Sequence, residues 1–378
     1  VGGRAQTVER DGYTINTGAA LVTNAYKRYF DLAAELGITN EIEPCSSWIG
    51  IFRDGIIHHI DTNHLVFSGI KTGCISWHAK LVFLKAAIDV ALARVKGMLD
   101  WTDIGRAAPI DTETAAQYAK RRLNVELADY LCDPVVRAMI MADASKISKV
   151  ELFSGLTNVV GIKTFGLRGG LKKMSLKLAE NLTVKFDCAV SAVNPHSDHV
   201  IVTWSENGAE KSGAFAGCIV ACPLPIAVRL CSDVRPLFRL AATLRYPPAI
   251  TVAIGTRERP ATKAAFIQVP QVESAQICLF SLAHNIASGV APKGHGLIKA
   301  YWEADAAASM LRADDEQIRQ ITLQFAEKVF PGISRNIDMI HITRWPHGVP
   351  LSEVGVYQAM ADFNATIDLN SRLQFAGD

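Results

Sequence analysis

Long apolar runs are missing from this 378-residue sequence. Although 49% of its residues are hydrophobic, no run approaches the roughly 20 consecutive apolar residues that a helix needs to cross a bilayer. The sequence therefore predicts no membrane-spanning helix. Peripheral contact with a membrane through exposed apolar helices stays open.

A strong excess of one charge is also missing. The sequence has 39 Lys and Arg residues against 37 Asp and Glu residues, so its formal charge is +2 at pH 7. A chain this close to neutral gives no electrostatic reason to expect a polyanionic partner. We therefore expect no nucleic-acid partner.

Closely spaced cysteines are absent as well. Eight cysteines are scattered through apolar stretches, and the closest two, Cys218 and Cys222, lie in a strand-like run. Four strand residues separate their Cα atoms by about 13 Å, whereas a disulfide needs a separation below about 7 Å. We interpret the eight cysteines as buried reduced thiols. This interpretation predicts a cytosolic chain, and membrane association stays open.

The histidines His58, His59 and His64 are close together in the sequence and resemble a metal cluster. Adjacent strand residues point to opposite faces, so His58 and His59 cannot converge on one ion. No second group of ligands is evident beside them. We therefore expect no metal site.

The sequence does contain a glycine pair followed by arginine at its start, Gly2, Gly3 and Arg4. Two residues without Cβ atoms let the backbone lie directly against a ligand, and the arginine fork suits a diphosphate. A short strand-like run then ends at Gly18 and Ala19, where small side chains admit a flat group. The alternative is an ordinary turn followed by a hairpin, because short glycine motifs often match by chance.

The last stretch, Leu373 to Asp378, favours the ligand-binding interpretation. It is an apolar strand that stops at a Gly-Asp pair, which puts a carboxylate where open α/β sheets bind ligands. Together with the N-terminal motifs, it resembles the FAD-dependent amine oxidase superfamily, which includes protoporphyrinogen oxidases, carotenoid (phytoene) desaturases and flavin amine oxidases. The resemblance implies FAD as the cofactor. It implies that Gly3 and Arg4 contact the diphosphate and flavin edge, and that Asp378 contacts the ribityl-diphosphate region.

Further cofactor contacts are expected in the middle of the chain. Gly169 and Gly170 lie between basic residues at the start of a predicted helix, where free amides and the helix dipole favour an anion. A bent turn with solvated lysines is the alternative there. The resemblance also implies that Val190 presents its backbone to the adenine and that Pro223 lies beside the FAD. The full predicted cofactor-binding set is Gly2, Gly3, Arg4, Gly18, Ala19, Gly169, Gly170, Val190, Pro223, Gly377 and Asp378.

Two elements of the superfamily are missing from this sequence. They are the strand and helix with Gly-x-Gly-x-x-Gly that precede the Gly-Gly-Arg, and the helix that follows the Gly-Asp. The sequence therefore looks like the interior of a longer enzyme, cut or unobserved at both ends. Because such elements supply many phosphate-binding amides, a folded scaffold without FAD is one of the open alternatives.

Hydrophobic periodicity predicts the main elements along the chain. Helical spacing covers 20–37, most of 76–156, 174–180 and 318–330; strand patterns cover 49–60 as a hairpin, 183–190, 249–255, 275–282, 296–302 and 337–342.

The expected fold class is α/β, with an α+β substrate part. The resemblance implies a discontinuous, Rossmann-like FAD/NAD(P)-binding domain, a mixed-sheet substrate domain and a helical insertion. The FAD-binding parts are expected at 1–48, 157–235 and 351–378, and the substrate-domain parts at 49–75 (a hairpin), 76–156 (the helical insertion) and 236–350.

The expected function is oxidation of a large apolar small molecule by hydride transfer to flavin N5, as in protoporphyrinogen oxidases or carotenoid desaturases. Flavin amine oxidases usually carry a lysine near the start of the first substrate-domain strand, and residues 245–251 contain none. Amine oxidation, with Tyr357 in an aromatic cage, remains the alternative. Arg344, Trp345 and Tyr357 are candidates for the cleft, although simple core packing would also explain the aromatic residues. The sequence identifies no general base and no oligomeric state.

Overall fold

The computed structural model describes residues 1–100, 102–159 and 161–377. Its strands are β1 Thr7–Arg10, β2 Tyr13–Asn16, β3 Val22–Thr23, β4 Ile42–Pro44, β5 Trp48–Arg53, β6 Ile56–Asp61, β7 Thr164–Leu167, β8 Cys188–Pro195, β9 Val200–Glu206, β10 Ala209–Phe215, β11 Cys218–Val220, β12 Ala249–Thr256, β13 Phe266–Gln268, β14 Ile277–Leu282, β15 Gly296–Trp302, β16 Ile337–Trp345 and β17 Leu373–Phe375. Its α-helices are α1 Lys27–Glu35, α2 Leu65–Lys71, α3 Trp77–Val95, α4 Ala115–Arg122, α5 Val125–Leu127, α6 Asp133–Ile140, α7 Lys149–Val159, α8 Lys172–Ala179, α9 Leu224–Leu230, α10 Arg235–Thr243, α11 Ala304–Met310, α12 Asp315–Val329 and α13 Val356–Asn364. The predicted α/β class is confirmed.

A seven-stranded mixed sheet forms the largest layer, in the order β16-β12-β15-β14-β13-β5-β6. Its pairs are antiparallel except for β13 with β5, which are parallel. Every residue of β14 and β15 is buried, because both faces of this sheet are covered. The predicted strands at 249–255, 275–282 and 296–302 and the hairpin at 49–60 are confirmed.

The two faces of this sheet contact different parts of the chain. Ile298, Ala300 and Trp302 point to one face, where they pack against Ile318 and Phe325 of α12. On the other face Leu297 packs with Tyr13 and Ile15 of β2. The alternation of side chains along a strand produces this division. It places the β1–β2 hairpin, and with it the start of the chain, directly against the sheet.

The helices α3 to α7 form a layer beside the sheet, as the helical pattern over 76–156 predicts. Arg137 of α6 is fully buried and anchors this layer. Its Nη1 donates to Asp143 Oδ1 at 2.6 Å, and its Nη2 donates to the carbonyl oxygens of Ser274 and Ile277 at 2.8 and 2.9 Å. The helical layer is therefore fixed to the edge of β14 by one buried side chain.

A second region contains the antiparallel sheet β8–β9–β10 and the parallel pair β11–β17. Helices α9, α10 and α13 pack on it around Val220, Leu240 and Leu373. The parallel pairing of β11 with β17 joins residues that lie far apart in the sequence.

Two predicted elements begin at least five residues later than expected. The helix expected over 20–37 begins only at Lys27, because Val22 and Thr23 pair with Phe165 and Thr164 of β7 instead. The strand expected over 183–190 begins at Cys188. In the first case a tertiary pairing overrides the helical spacing of apolar residues.

Candidate functional site

The segment Gly2–Arg4 forms a tight turn with an open face. Gly2 and Gly3 have φ values of +107° and +49°, which favour glycine, and the Ala5 amide donates to the Gly2 carbonyl at 2.8 Å. Among the described residues, no heavy atom lies within 4 Å of the position that a Cβ at Gly3 would occupy, apart from its chain neighbours. The backbone at Gly3 therefore faces space that a ligand could fill.

Gly18 and Ala19 lie against this turn. The Ala19 amide donates to the Arg4 carbonyl at 2.9 Å, and the Thr17 amide donates to the Gln6 carbonyl at 2.9 Å. A Cβ at Gly18 would lie 2.1 Å from the Arg4 carbonyl oxygen, so this close approach requires glycine. The structure thus brings together the first two predicted motifs.

Gly169 and Gly170 join the same cluster through the β1–β2 hairpin. A Cβ at Gly170 would lie 2.4 Å from the Thr7 side chain. The Lys172 amide donates to Thr7 Oγ1 at 3.2 Å, and the Leu171 amide donates to Asn16 Oδ1 at 3.0 Å. The beginning of α8 is therefore held next to the glycine–arginine turn.

Trp345 also reaches this cluster, whereas Arg344 does not. The Trp345 indole Nε1 donates to the Thr17 carbonyl at 3.2 Å, and Arg4 Nη1 donates to the Gly348 carbonyl at 2.8 Å. Arg344 points to the other face of β16, where its guanidinium donates to Asp315 Oδ1 at 2.6 Å. The expectation that both residues face the cleft is wrong for Arg344, because consecutive strand residues point to opposite faces.

Tyr357 is on α13, and its side chain packs against residues of the helical layer. It is 6% exposed and packs with Ala107 and Val150. Its hydroxyl donates to Glu151 Oε1 at 2.6 Å, and burial together with this carboxylate raises the pKa of the Tyr357 hydroxyl. This placement does not match the expected cleft position, because the ring is enclosed by core residues.

Lys299 of β15 is a site residue that sequence reasoning missed. Its Nζ donates to the carbonyl oxygens of Asn16 and Gly18 at 2.6 and 2.9 Å, and the residue is 5% exposed. Desolvation by burial lowers the pKa of the Lys299 amine to about 7. A lysine within the otherwise apolar run Gly296–Trp302 was the available signal.

Three donors from the large sheet therefore hold the strand end before Ala19. Besides Lys299 and Trp345, Thr251 Oγ1 donates to the Thr17 carbonyl at 3.2 Å. Their acceptors are the backbone carbonyls of Asn16, Thr17 and Gly18. These bonds attach the strand end to the large sheet next to the turn at Gly2–Arg4.

The remaining predicted residues, which we call the second group, lie on or next to β8, β11 and β17. Val190 on β8 is 40% exposed, Pro223 lies between β11 and α9 as the N-cap of that helix, and Gly377 follows β17. Gly377 lines a cavity of about 460 Å³ together with Cys222 and Phe375. The predicted residue Asp378 lies outside the described residues.

These two groups fit the expected cofactor. Open space before Gly3, the adjacent Arg4 guanidinium and the exposed turn at Gly169 suit a diphosphate and the edge of a flat ring. A cavity near Gly377 has a volume typical of small-molecule sites. The residues present can therefore hold an elongated ligand such as FAD at two separate places.

The eight cysteines are free thiols. Within residues 1–100, 102–159 and 161–377, no cluster of three or more His, Cys, Asp or Glu side chains is arranged to hold a metal ion. Over the same residues, no helix is both long and apolar enough to cross a membrane.

Comparison with known proteins gives consistent relatives. Coproporphyrinogen III oxidase of Bacillus subtilis strain 168 is 21% identical over 404 residues, covering 97% of this chain and 82% of that protein. The structure of cyclohexylamine oxidase from Brevibacterium oxydans IH-35A is 14% identical with a TM-score of 0.76, covering 99% of this chain and 84% of that one. A protein assigned as a protoporphyrinogen oxidase, from Exiguobacterium sp. 255-15, is 17% identical with a TM-score of 0.70, covering 99% and 85%.

The structural likenesses establish the fold. A family match over residues 1–378 also establishes the family. That match is to the flavin containing amine oxidoreductases, which agrees with the glycine–arginine turn and its partners described above. The chain therefore belongs to the flavin containing amine oxidoreductase family and is an FAD-dependent oxidoreductase.

Proposed function

We propose that this enzyme oxidises a large apolar substrate of the porphyrinogen type. The observation that carries the proposal is an apolar cluster that begins at Ala20, directly after the predicted flavin-edge residues. Ala20 packs there with Leu279 and Tyr301 of the sheet and with Ala138 and Met141 of the helical layer. A substrate entering beside the flavin would meet carbon surfaces, which suit an apolar molecule.

A relative supports the same substrate class. The chain matches a coproporphyrinogen III oxidase over 97% of its own length, and the substrate in that name is a large tetrapyrrole. None of the three relatives reported above is named as a carotenoid desaturase. We therefore place the porphyrinogen substrate first.

The roles of the chain's own residues follow from their positions. Gly2, Gly3, Arg4, Gly18, Ala19, Gly169 and Gly170 would hold the flavin edge and diphosphate. Val190 would face the adenine, Pro223 would lie beside the FAD, and Gly377 and Asp378 would contact the ribityl-diphosphate region. Bound FAD supplies the hydride acceptor, its N5 atom. The protein's contribution is to orient the substrate against that atom and to exclude water from the apolar cluster. The division into FAD-binding parts at 1–48, 157–235 and 351–378 belongs to this proposal.

The experiment mixes the FAD-loaded enzyme with each candidate substrate in the absence of oxygen. Reduction of the flavin is measured as loss of its visible absorption band. We expect coproporphyrinogen III or protoporphyrinogen IX to bleach the flavin and cyclohexylamine to leave it oxidised.

Met141→Gln should slow bleaching by about tenfold, since it puts an amide into the apolar cluster. Met310→Gln, a half-buried methionine beside α12, is the matched control. Bleaching by neither porphyrinogen, with FAD bound, would rule out the proposed substrate.

Amine oxidation is the second candidate, and Lys299 is the observation that favours it. The lysine missing from residues 245–251 has a counterpart on the neighbouring strand, where its amine bonds to the Gly18 carbonyl. Rapid bleaching by cyclohexylamine in the same assay would select this function over the first.

A further inference from the structure

Helices α2 and α3 carry large apolar side chains on their exposed face. In α3, Trp77, Leu81, Leu84, Ile88, Leu92 and Val95 recur at helical spacing and are 55–86% exposed. The buried face of the same helix consists of the small residues Ala79, Ala86, Val90 and Ala93. This is the reverse of an ordinary surface helix, whose large apolar residues face the core.

The neighbouring helix extends this surface. Val66, Phe67 and Ile70 of α2 are 76%, 60% and 49% exposed. Lys80 of α3 fixes the two helices together, because its Nζ donates to the carbonyls of Ile70 and Thr72 at 2.6 and 2.7 Å. We refer to the exposed apolar residues of α2 and α3 as the apolar face. A contiguous patch of this kind marks an interaction site.

The charges around the apolar face are nearly all positive. The sequence from His64 to Met98 contains five cations, Lys71, Lys80, Lys85, Arg94 and Lys96, and one acid, Asp89. Asp89 is already bonded to Arg122 of α4 through both carboxylate oxygens. This segment therefore carries a formal charge of +4, in a chain whose total is only +2.

We propose that the apolar face docks the enzyme on an anionic lipid surface. An amphipathic helix rich in lysine, with tryptophan and leucine on its apolar side, lies flat in the interface between headgroups and acyl chains. The cations would then contact the lipid headgroups. A second copy of the chain fits less well, because a two-fold contact would place the two +4 segments against each other. This inference is independent of the proposed substrate.

The test is co-sedimentation of the full chain with phosphatidylcholine vesicles that contain or lack phosphatidylglycerol. We expect binding to the anionic vesicles that weakens at high salt and is much weaker without phosphatidylglycerol. Leu81→Glu should reduce the partition coefficient of the protein between water and the anionic vesicles by about tenfold. Leu182→Glu is the matched control, since Leu182 is 65% exposed and Leu81 66%. Lys85→Glu should weaken binding to the anionic vesicles by about fivefold or more.

Two results would overturn the proposal. One is failure of the wild-type chain to bind the anionic vesicles. The other is equal binding by Leu81→Glu and Leu182→Glu, with both variants showing the wild-type circular dichroism spectrum. Light scattering tests for a second copy of the chain as the competing occupant. If the wild-type chain shows a doubled mass that Leu81→Glu abolishes, and does not bind vesicles, the apolar face is assigned to a second copy.

Discussion

The buried amine of Lys299 is the most unusual single residue near the site. It is enclosed by the sheet and the β1–β2 hairpin, and its Nζ donates to two backbone carbonyls. Backbone carbonyls are weaker partners for an ammonium group than a carboxylate, so desolvation dominates. Its charge is therefore expected to change close to neutral pH.

The protonation of Lys299 should make folding stability depend on pH. Burial lowers the pKa of this amine from 10.5 to about 7 in the folded chain, so between these values only the unfolded chain binds the proton. The free energy of unfolding then rises with pH across this window, by up to about 1.4 kcal/mol per pH unit. Urea unfolding of the wild type and Lys299→Met at neutral and alkaline pH measures the difference.

The exposed lysine Lys293 provides the control. The stability of the wild type relative to Lys293→Met should stay constant over the same pH range. A constant difference for Lys299→Met as well would mean that the amine stays charged in the folded chain.

Gly18 should tolerate no Cβ. Gly18→Ala would put a methyl group 2.1 Å from the Arg4 carbonyl oxygen, so the strand end or the glycine–arginine turn must move. We expect a loss of about 1–3 kcal/mol in the free energy of unfolding and weaker FAD binding in a fluorescence titration. At Gly69 of α2, open space surrounds the added Cβ among the described residues. Gly69→Ala should leave FAD affinity unchanged, and an equal loss in both variants would contradict the role of Gly18.

At this scale the sequence predicts the glycines better than the lysine. Residue type alone indicates the close approaches at Gly18 and Gly170 and the open backbone at Gly3. The role of Lys299 could not be predicted, because its partners are the backbone carbonyls of Asn16 and Gly18, almost 300 residues away. Every residue has a backbone carbonyl, so residue type does not indicate which ones accept from a lysine.

At the scale of elements, periodicity predicts which stretches are strands but not where their ends lie. The strand expected over 337–342 continues to Trp345, because β16 pairs with β12 along its whole length, with Ala249 opposite Trp345. That extension sets the faces of Arg344 and Trp345. A strand that ended at residue 342 would leave both free to turn toward the cleft.

The attachment of α6 to the sheet depends on one buried ion cluster. Arg137 bonds to Asp143 and lies 3.9 Å from Asp133, and burial raises the pKa of Asp133 to about 6. Arg137→Met should lower the free energy of unfolding by about 3–5 kcal/mol, because the buried carboxyl groups of Asp133 and Asp143 lose the buried guanidinium that they share. Chemical denaturation at neutral pH measures this loss.

A surface pair serves as the comparison for Arg137. Arg106 is 52% exposed and pairs with Asp100, so Arg106→Met should cost about 1 kcal/mol or less. Similar losses in the two variants would show that the buried cluster does not anchor the helical layer.

At the scale of the whole molecule, the site joins segments that the sequence keeps apart. The flavin-side group draws on residues 1–19, 169–172 and 345–348, and the second group on β8, β11 and β17. The superfamily and its cofactor could be predicted from motifs at the two ends. The contacts that unite the motifs could not, because they depend on long-range packing of the sheet.

Bound FAD should therefore stabilise the entire fold. At a hundredfold excess over its Kd, a ligand that binds only the folded chain adds about 2.7 kcal/mol. We expect the thermal midpoint to rise with FAD concentration in the wild type and to rise much less in Arg4→Met. Differential scanning calorimetry gives both values. Arg10→Met, which changes a half-exposed arginine on β1, should keep the wild-type response, and an equal response in Arg4→Met would exclude Arg4 from the FAD site.

The distance between Lys299 and Asn16 also has a consequence during protein synthesis. The two residues lie 283 positions apart. A ribosome adding about 5–20 residues per second needs roughly 15–60 seconds to make the strand that covers the β1–β2 hairpin. During that time the apolar side of Tyr13 and Ile15 lacks part of its native cover, which exposes the nascent chain to aggregation and to chaperones. The Asn16 and Gly18 carbonyls beside the glycine–arginine turn thus gain their lysine partner only after this distant strand has been made.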